Sequence, residues 1–295
     1  SVNVSAAQVV ADREAVRFPR TPDDARRRIA PTPRGDSLVR VFLQPDAHYP
    51  YQDKRACELI LRVLEFIKPE VCIVLGDHFD FYAVSDHRKD IRRRLDLEWE
   101  IAEGDKGLRE YDALGCFKRK IFCEGNHEWR LQRYIADKAA DVYRALSPAG
   151  LLSVQSLPGA LGLKDRGWEW IPYMDHGRIG KFHFTHDVGK SGKAAHESAQ
   201  GDFETSSAIG HTHQLRLMVR GNHYGEWHTG AMFGWLGDWR QIDYRHRMKI
   251  KREWPLGFGL ASIEKSTDAA HVQPVLIMAE RRRYRCVVDG KLFSA

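Results

Sequence analysis

The sequence lacks most of the features that would place it in a specialised class. It has five cysteines in 295 residues (Cys57, Cys72, Cys116, Cys123 and Cys286), and no two form a C-x-x-C pair. An odd number at irregular spacings argues against a disulfide framework and against a thiolate zinc site. Cys72 and Cys123 fall inside apolar runs, so reduced, buried thiols are expected, and with them a cytoplasmic location. No apolar stretch is long enough to span a bilayer. The opening residues, with Asp12, Arg13 and Glu14 close by, do not read as an apolar leader, so no membrane partner is expected. Internal repeats and low-complexity tracts are missing. Charge of one sign does not dominate either: 46 Lys and Arg against 40 Asp and Glu give a formal net charge of +6. That excess permits a polyanionic partner without establishing one.

What is present is the make-up of an ordinary globular protein, with 43% hydrophobic and 29% charged residues. Residues 1–36, with Arg26-Arg27-Arg28 and Pro31-Thr32-Pro33, read as an N-terminal arm, partly helical around 22–29. From residue 38 apolar strand-like runs alternate with helical periodicity. Strands are expected over Leu38–Leu43, Val71–Leu75 and Lys120–Cys123, and helices over Asp53–Ile67, 90–114 and Glu128–Lys138. The second half turns to strands, near 168–173, 180–186, 206–210, 215–220, 226–230, 257–263 and 272–278. A C-terminal hairpin over Tyr284–Phe293 turns at Asp289-Gly290. The expected fold class is α/β, with residues 37–295 forming one domain of two stacked mixed β-sheets flanked by helices.

Onto that frame fall five clusters of acid, amide and imidazole residues: Asp46-Ala47-His48, Gly76-Asp77, Gly125-Asn126-His127-Glu128, His186 and Gly210-His211-Thr212-His213. Nearly all follow a strand-like run, and strand C-termini are where α/β architectures carry chemistry. Residues two apart in extended backbone share a side, so Asp46 with His48, and His211 with His213, can each reach one ion. By the same parity His183 faces away from His186. Hard oxygen and imidazole donors together suit a pair of divalent cations, Mn first, with Fe, Zn, Co or Ni also compatible. Cation pairs of this kind serve in-line displacement at phosphorus.

The order D-x-H, G-D, G-N-H-E, H, G-H-x-H resembles the calcineurin-like metallophosphoesterase superfamily, in the style of phage and bacterial members. The resemblance spans roughly residues 39–280, with specificity only in the motifs. It implies a four-layer α/β/β/α sandwich and a dinuclear centre. One metal would be held by Asp46, His48, Asp77 and His213, the other by Asp77, Asn126, His186 and His211, with Asp77 shared between them. It also implies that His127 protonates the leaving alkoxide or stabilises the transition state. Glu128 is read as a helix-capping carboxylate ahead of a partner for His127. Asp187 and Gln214 stand where the family often has glycine and arginine, and they leave the substrate pocket open.

Further candidates are weaker. His78 and Asp80 flank the second motif and could touch substrate or support the ligands. Gly189-Lys190-Ser191-Gly192-Lys193 lacks the first glycine and the Ser/Thr of a phosphate loop, yet Lys190 or Lys193 could meet a substrate phosphate. Gly221-Asn222-His223 reads as a hairpin turn. Trp168, Trp170, Trp227 and Trp235 are read as packing residues. Basic clusters at Arg88–Arg94, Arg240–Arg252 and Arg281–Arg285, with Trp239, Tyr244 and Trp254 among them, suit a single nucleic-acid strand. They suit a solvated rim or a homo-oligomer contact equally. The expectation is a metal-dependent phosphoesterase acting on a phosphoester substrate. It leans to phosphodiesters, with nucleic acid (a nuclease) ahead of cyclic nucleotides (a nucleotide phosphodiesterase). A small-molecule or nucleotide phosphomonoesterase is the alternative, and an inactive binding scaffold of the same fold stands behind both.

Overall fold

In the computed structural model the described residues are 37–87, 89–90, 93–141, 157–242, 253–280 and 283–295. The N-terminal arm, Tyr244 and parts of all three basic clusters lie outside them. Strands β1 (Leu38–Gln44), β2 (Val71–Val74), β3 (Arg119–Cys123) and β4 (Trp168–Ile171) run parallel. Strands β10 (Gly257–Glu264) and β11 (Ala270–Leu276) extend the sheet antiparallel beyond β1. The order of this six-stranded sheet is β11-β10-β1-β2-β3-β4. A second, five-stranded sheet has the order β5-β6-β7-β9-β8. Its strands are β5 (Gly177–Ile179), β6 (Phe182–Thr185), β7 (Ser206–Ile209), β8 (Leu215–Gly221) and β9 (Trp227–Phe233).

Why the sheets stack follows from which residues are apolar. The run Val71–Val74 is buried throughout, as a strand covered on both faces must be. Val41, Leu43, Ile73, Leu75 and Ile121 face Phe182, Phe184, Ala231 and Phe233 of the second sheet in one buried cluster. The opposite face of the first sheet, with Phe42, Cys72, Val74 and Phe122, packs against helices. These are α1 (Lys54–Ile67) and α2 (Leu97–Ala113), which contribute Leu59, Ile60, Val63, Leu64, Leu108 and Tyr111. Helices α3 (Asn126–Lys138) and α4 (Leu157–Ala160) follow in the chain. On the far side, Ala195 and Ala199 of α5 (Ala195–Phe203) pack on Ile209 and Met232. The result is the α/β/β/α layering that the resemblance of the motifs implied. Cys57, Cys72, Cys123 and Cys286 are buried free thiols. Among the described residues no helix is long and apolar enough to cross a membrane.

A third sheet of three strands, β12 (Met278–Glu280), β13 (Arg283–Val288) and β14 (Lys291–Ser294), closes the chain. The hairpin β13–β14 turns at Asp289 (φ 49°) and Gly290 (φ 73°), the left-handed pair that an Asp-Gly turn supplies. Phe293 packs on Phe66 of α1, with ring centroids 5.5 Å apart. Tyr284 donates to Asp53 Oδ2 at 2.6 Å. Asp53 caps α1 at the same time, through Oδ1 and the amides of Arg55 and Ala56.

Three expectations differ from the structure. The helix expected over 90–114 begins at Leu97, because Asp96 caps it by accepting from Trp99 N at 2.9 Å. The strand expected over 272–278 is two strands: β11 ends at Leu276 and β12 joins the third sheet. Trp227, read as packing, is 75% exposed at the end of the β8–β9 hairpin, whose turn contains Asn222 and His223. Strand β5 and helix α5 were not expected. They lie in Gly-, Lys- and His-containing stretches whose periodicity is weak.

Candidate metal centre

Register brings the motif loops to one edge. Gln44 pairs with Val74, Val74 with Phe122 and Thr185 with Ile209, so the chain leaves β1, β2 and β3 at one level of the first sheet, and β6 and β7 at one level of the second. The backbone there is unusual. His48 (φ 54°), Asp77 (φ 48°), His211 (φ 66°) and His213 (φ 56°) are all left-handed without being glycine. Such conformations cost about 1–3 kcal/mol each and gather at functional sites. They also correct the parity argument: Asp46, His48, His211 and His213 lie beyond the strand ends, in turns rather than extended chain. The turns, not strand alternation, bring each pair together. Gly125 is held by close approach, since a Cβ there would sit 2.2 Å from Asp77 Oδ1.

The expected ligands fall into two groups. Asp46, His48 and His213 form one, and Asp77, His186 and His211 the other; within each, one ligand atom per residue lies within 4.8 Å of the rest. In the first, His48 Nε2 and His213 Nε2 are 3.0 Å apart, and His213 Nε2 is 3.1 Å from Asp46 Oδ2. In the second, Asn126 Oδ1 lies 2.8 Å from His211 Nδ1 and 3.0 Å from His186 Nε2, which is 3.3 Å from Asp77 Oδ1. The first sheet's loops carry Asp46, His48, Asp77 and Asn126. The second sheet's loops carry His186, His211 and His213. Asp46 ties them further, accepting from His211 N at 3.1 Å through Oδ1.

The donor set fits cations. Asp46, Asp77 and His186 are 2% exposed or less, and burying unpaired carboxylates is costly. His186 Nδ1 donates to Leu75 O at 2.7 Å, which in a neutral ring leaves the Nε2 lone pair turned toward two oxygen acceptors, Asn126 Oδ1 and Asp77 Oδ1. A proton or a metal ion at that point removes the clash of lone pairs. Without a metal the proton is the answer: burial opposes the charge, but Asp77 and then Asp46 and Glu128 outweigh it and raise His186 to about 10. Asp77 is held well below the carboxylate range, since His127, His186 and His48 outweigh its burial. Asp46 Oδ2 is sealed from solvent with no aligned hydrogen bond and faces His213 Nε2 at 3.1 Å.

His127 sits beside the second motif, with its ring 4.5 Å from that of His48. Its Nδ1 is 2.9 Å from Asp80 O and 3.1 Å from Asp80 Oδ1, and its Nε2 accepts from Arg130 at 2.8 Å. Burial keeps His127 below its ordinary pKa, against the pull of Asp77. Asp80 also faces His48 Nδ1 at 3.3 Å and Arg93 at 3.6 Å. It is therefore placed to hold two imidazoles rather than a substrate. Glu128 caps Gly125 N at 2.8 Å and reaches on to Asp77 N at 2.9 Å and Phe79 N at 2.8 Å, fixing the second motif to the third.

His78 turns away from the site. It is fully buried, bonded to Gln44 and Gly104 O and stacked on Tyr49, and burial lowers it to about 4. It cannot meet a substrate. Lys193 is exposed and pairs with Glu253 at 3.3 Å, and Lys190 is exposed on the same loop. His183 stacks on Phe203 at 4.8 Å, outside both ligand groups. Four neighbours were not foreseen at the centre, although Arg93 and Trp254 belong to the basic and aromatic stretches named above. Arg130 follows His127 by three residues, a helical spacing that signals it. Arg93, stacked between Tyr51 (3.7 Å) and Tyr82 (3.8 Å), and Tyr173, stacked on Trp129 at 5.5 Å, arrive from distant segments and leave no local signal. Trp254 packs edge-on to His213 at 4.2 Å, beside Trp235.

No protein-family model matches the chain, and no curated protein matches its sequence. Solved structures do resemble it loosely. Vacuolar Protein Sorting 29 from Cryptosporidium parvum is 15% identical, covering 88% of this chain and 97% of that one, at a TM-score of 0.42. Vps29 from Entamoeba histolytica complexed with Zn2+ is 13% identical over 87% of this chain and 97% of that one, with a TM-score of 0.35. YfcE, a phosphoesterase from E. coli, is 12% identical over 79% and 98%, with a TM-score of 0.33. At these scores the function rests on the geometry of the site itself.

Proposed function

We propose that the protein is a divalent-metal-dependent phosphoesterase. The observation that carries this reading is the convergence of Asp46, His48 and His213, and of Asp77, His186, His211 and Asn126, into two adjoining donor groups. Divalent ions held there would neutralise charge on a phosphoryl group and lower the pKa of a water nucleophile. Manganese is the first choice among the ions this donor set admits.

The chain's own part in the reaction centres on His127. With Nδ1–H donating to Asp80, Nε2 is the end that exchanges a proton with the leaving oxygen. Arg130 spans both ring nitrogens, 3.0 Å from Nδ1 and 2.8 Å from Nε2; a leaving oxygen would take its place at Nε2. Glu128 and Asp80 hold the two loops still. Trp235 and Trp254 shield the His213 side from solvent.

We favour phosphodiesters, with nucleic acid first. Support comes from the net charge of +6. It comes also from the exposed Trp129, stacked on Tyr173 next to His186, whose ring suits a flat base. The test is a screen of manganese-loaded protein on bis-(p-nitrophenyl) phosphate, p-nitrophenyl phosphate, single-stranded DNA and RNA. Diester and nucleic-acid cleavage lost in Asp77→Asn is the expected result. Cleavage of the monoester alone would make the protein a phosphomonoesterase. Bound metal with no hydrolysis of any ester would make it a binding scaffold.

A further inference from the structure

A metal-ligating imidazole generally gives its outer N–H to an acceptor that fixes the ring and raises its basicity. Three of the four imidazoles face such a group. His186 Nδ1 bonds Leu75 O at 2.7 Å. His48 Nδ1 faces Asp80 Oδ1 at 3.3 Å. His211, whose Nδ1 points inward at Asn126 Oδ1, turns its outer Nε2 toward Asp187 Oδ2 at 4.0 Å. His213 Nδ1 is buried without a hydrogen-bond partner, and the His48 contact with Asp80 is likewise not an aligned hydrogen bond.

Asp187 is built in place. Its Oδ1 accepts from Gly189 N at 2.7 Å, and its Oδ2 accepts from Tyr173 OH at 3.1 Å. Tyr173 is itself anchored, by its own N–H on Glu124 Oε2 at 3.0 Å and by the face of Trp129. The Asp187 side chain is only 9% exposed. Its carboxylate, held by two donors and nearly buried, therefore stands fixed 4.0 Å from the outer nitrogen of His211, close enough to act on it by charge.

We propose that Asp187, anchored by Tyr173, is a positioning residue that sets the cation affinity of the Asp77–Asn126–His186–His211 group through His211. The inference rests on the metal reading given above. An ion held at Nδ1 would make the ring more positive, and the fixed negative charge of Asp187 would stabilise it. The other group, Asp46–His48–His213, has no contact with Asp187 and keeps its affinity.

The test is a Mn2+ titration of the metal-stripped full chain, followed by calorimetry and by the paramagnetic resonance of unbound Mn2+. Wild type should bind two ions. Asp187→Ala should weaken one of them roughly 10–100-fold, the usual effect of losing such a partner, and leave the other unchanged. Asp187→Asn keeps an acceptor but not the charge and should fall between, and Tyr173→Phe should show a smaller loss in the same site. The ultraviolet circular dichroism of each variant should match wild type. Two unaltered affinities in Asp187→Ala would overturn the inference while leaving the metal centre standing. Equal weakening of both sites would overturn it too, as the mark of a general disturbance. A wild-type protein that binds no Mn2+ would overturn the metal reading and this inference together.

Discussion

His127 separates chemistry from architecture at this site. It stands outside both expected metal sets, yet its ring touches the edge of His48 and its Nδ1 is held by Asp80. His127→Ala should therefore lower kcat about 10²–10⁴-fold, with manganese stoichiometry unchanged. A parallel loss of metal would show that the ring supports the ligands instead of the reaction. The candidate ligands were legible because their chemistry is written in residue type and order: Asp46, His48, Asp77, Asn126, His186, His211 and His213 all arrive at one place. How they arrive was not legible. The left-handed backbone at His48, Asp77, His211 and His213 is imposed by the surrounding turns, and no local propensity announces it. Asp80 looked like one acid among many until its two imidazole neighbours were in view.

Helix α2 carries the clearest pH signature outside the centre. Glu100 sits in its first turn, fully buried, with Oε1 accepting from Ala83 N at 3.0 Å and Oε2 without a hydrogen-bond partner. Burial raises it from the ordinary 4.5 to about 7. Between those values the folded protein keeps a proton that the unfolded chain releases. Stability is then complete below the unfolded pKa and declines as pH rises through the folded one. Glu100→Gln should remove this component. In urea denaturation at pH 5 and pH 8, the wild-type loss between the two should exceed the variant's by on the order of 2 kcal/mol. An identical pH dependence in both would show that Glu100 is charged when folded. Among the secondary structures, α1 and the parallel strands were plain from periodicity. Helix α5 was not, because Ala195–Phe203 includes only small and polar residues on most of its surface and is shaped by its packing on Ile209 and Met232.

The arrangement of the two sheets makes the centre a structural joint. Asp46, His48, Asp77 and Asn126 come from one sheet, and His186, His211 and His213 from the other. Ions bound there, on the reading proposed above, would stabilise only the stacked state, by about 2.7 kcal/mol each at a hundredfold excess over Kd. For a domain of this size that is roughly 5–10 °C per ion in Tm. Thermal unfolding with manganese and with a chelator should differ by at least that much, and Asp77→Asn should lose the difference. Equal Tm values would mean that the sheets are joined by their apolar interface alone. That interface was readable in outline, since apolar runs predicted two stacked sheets. The third sheet was only half visible. Its hairpin declared itself through Asp289-Gly290, but β12 follows β11 with one residue between and reads as the same strand.

One carboxylate gathers three main-chain protons. Glu128 receives the amides of Asp77, Phe79 and Gly125 on its two oxygens. None of the three can reach solvent while that side chain stays seated, and its departure strands all of them at once. In heavy water they should lose protium together, on one clock, although the first and last lie 48 positions apart in the chain. That shared clock would time how often the ground beneath the centre gives way.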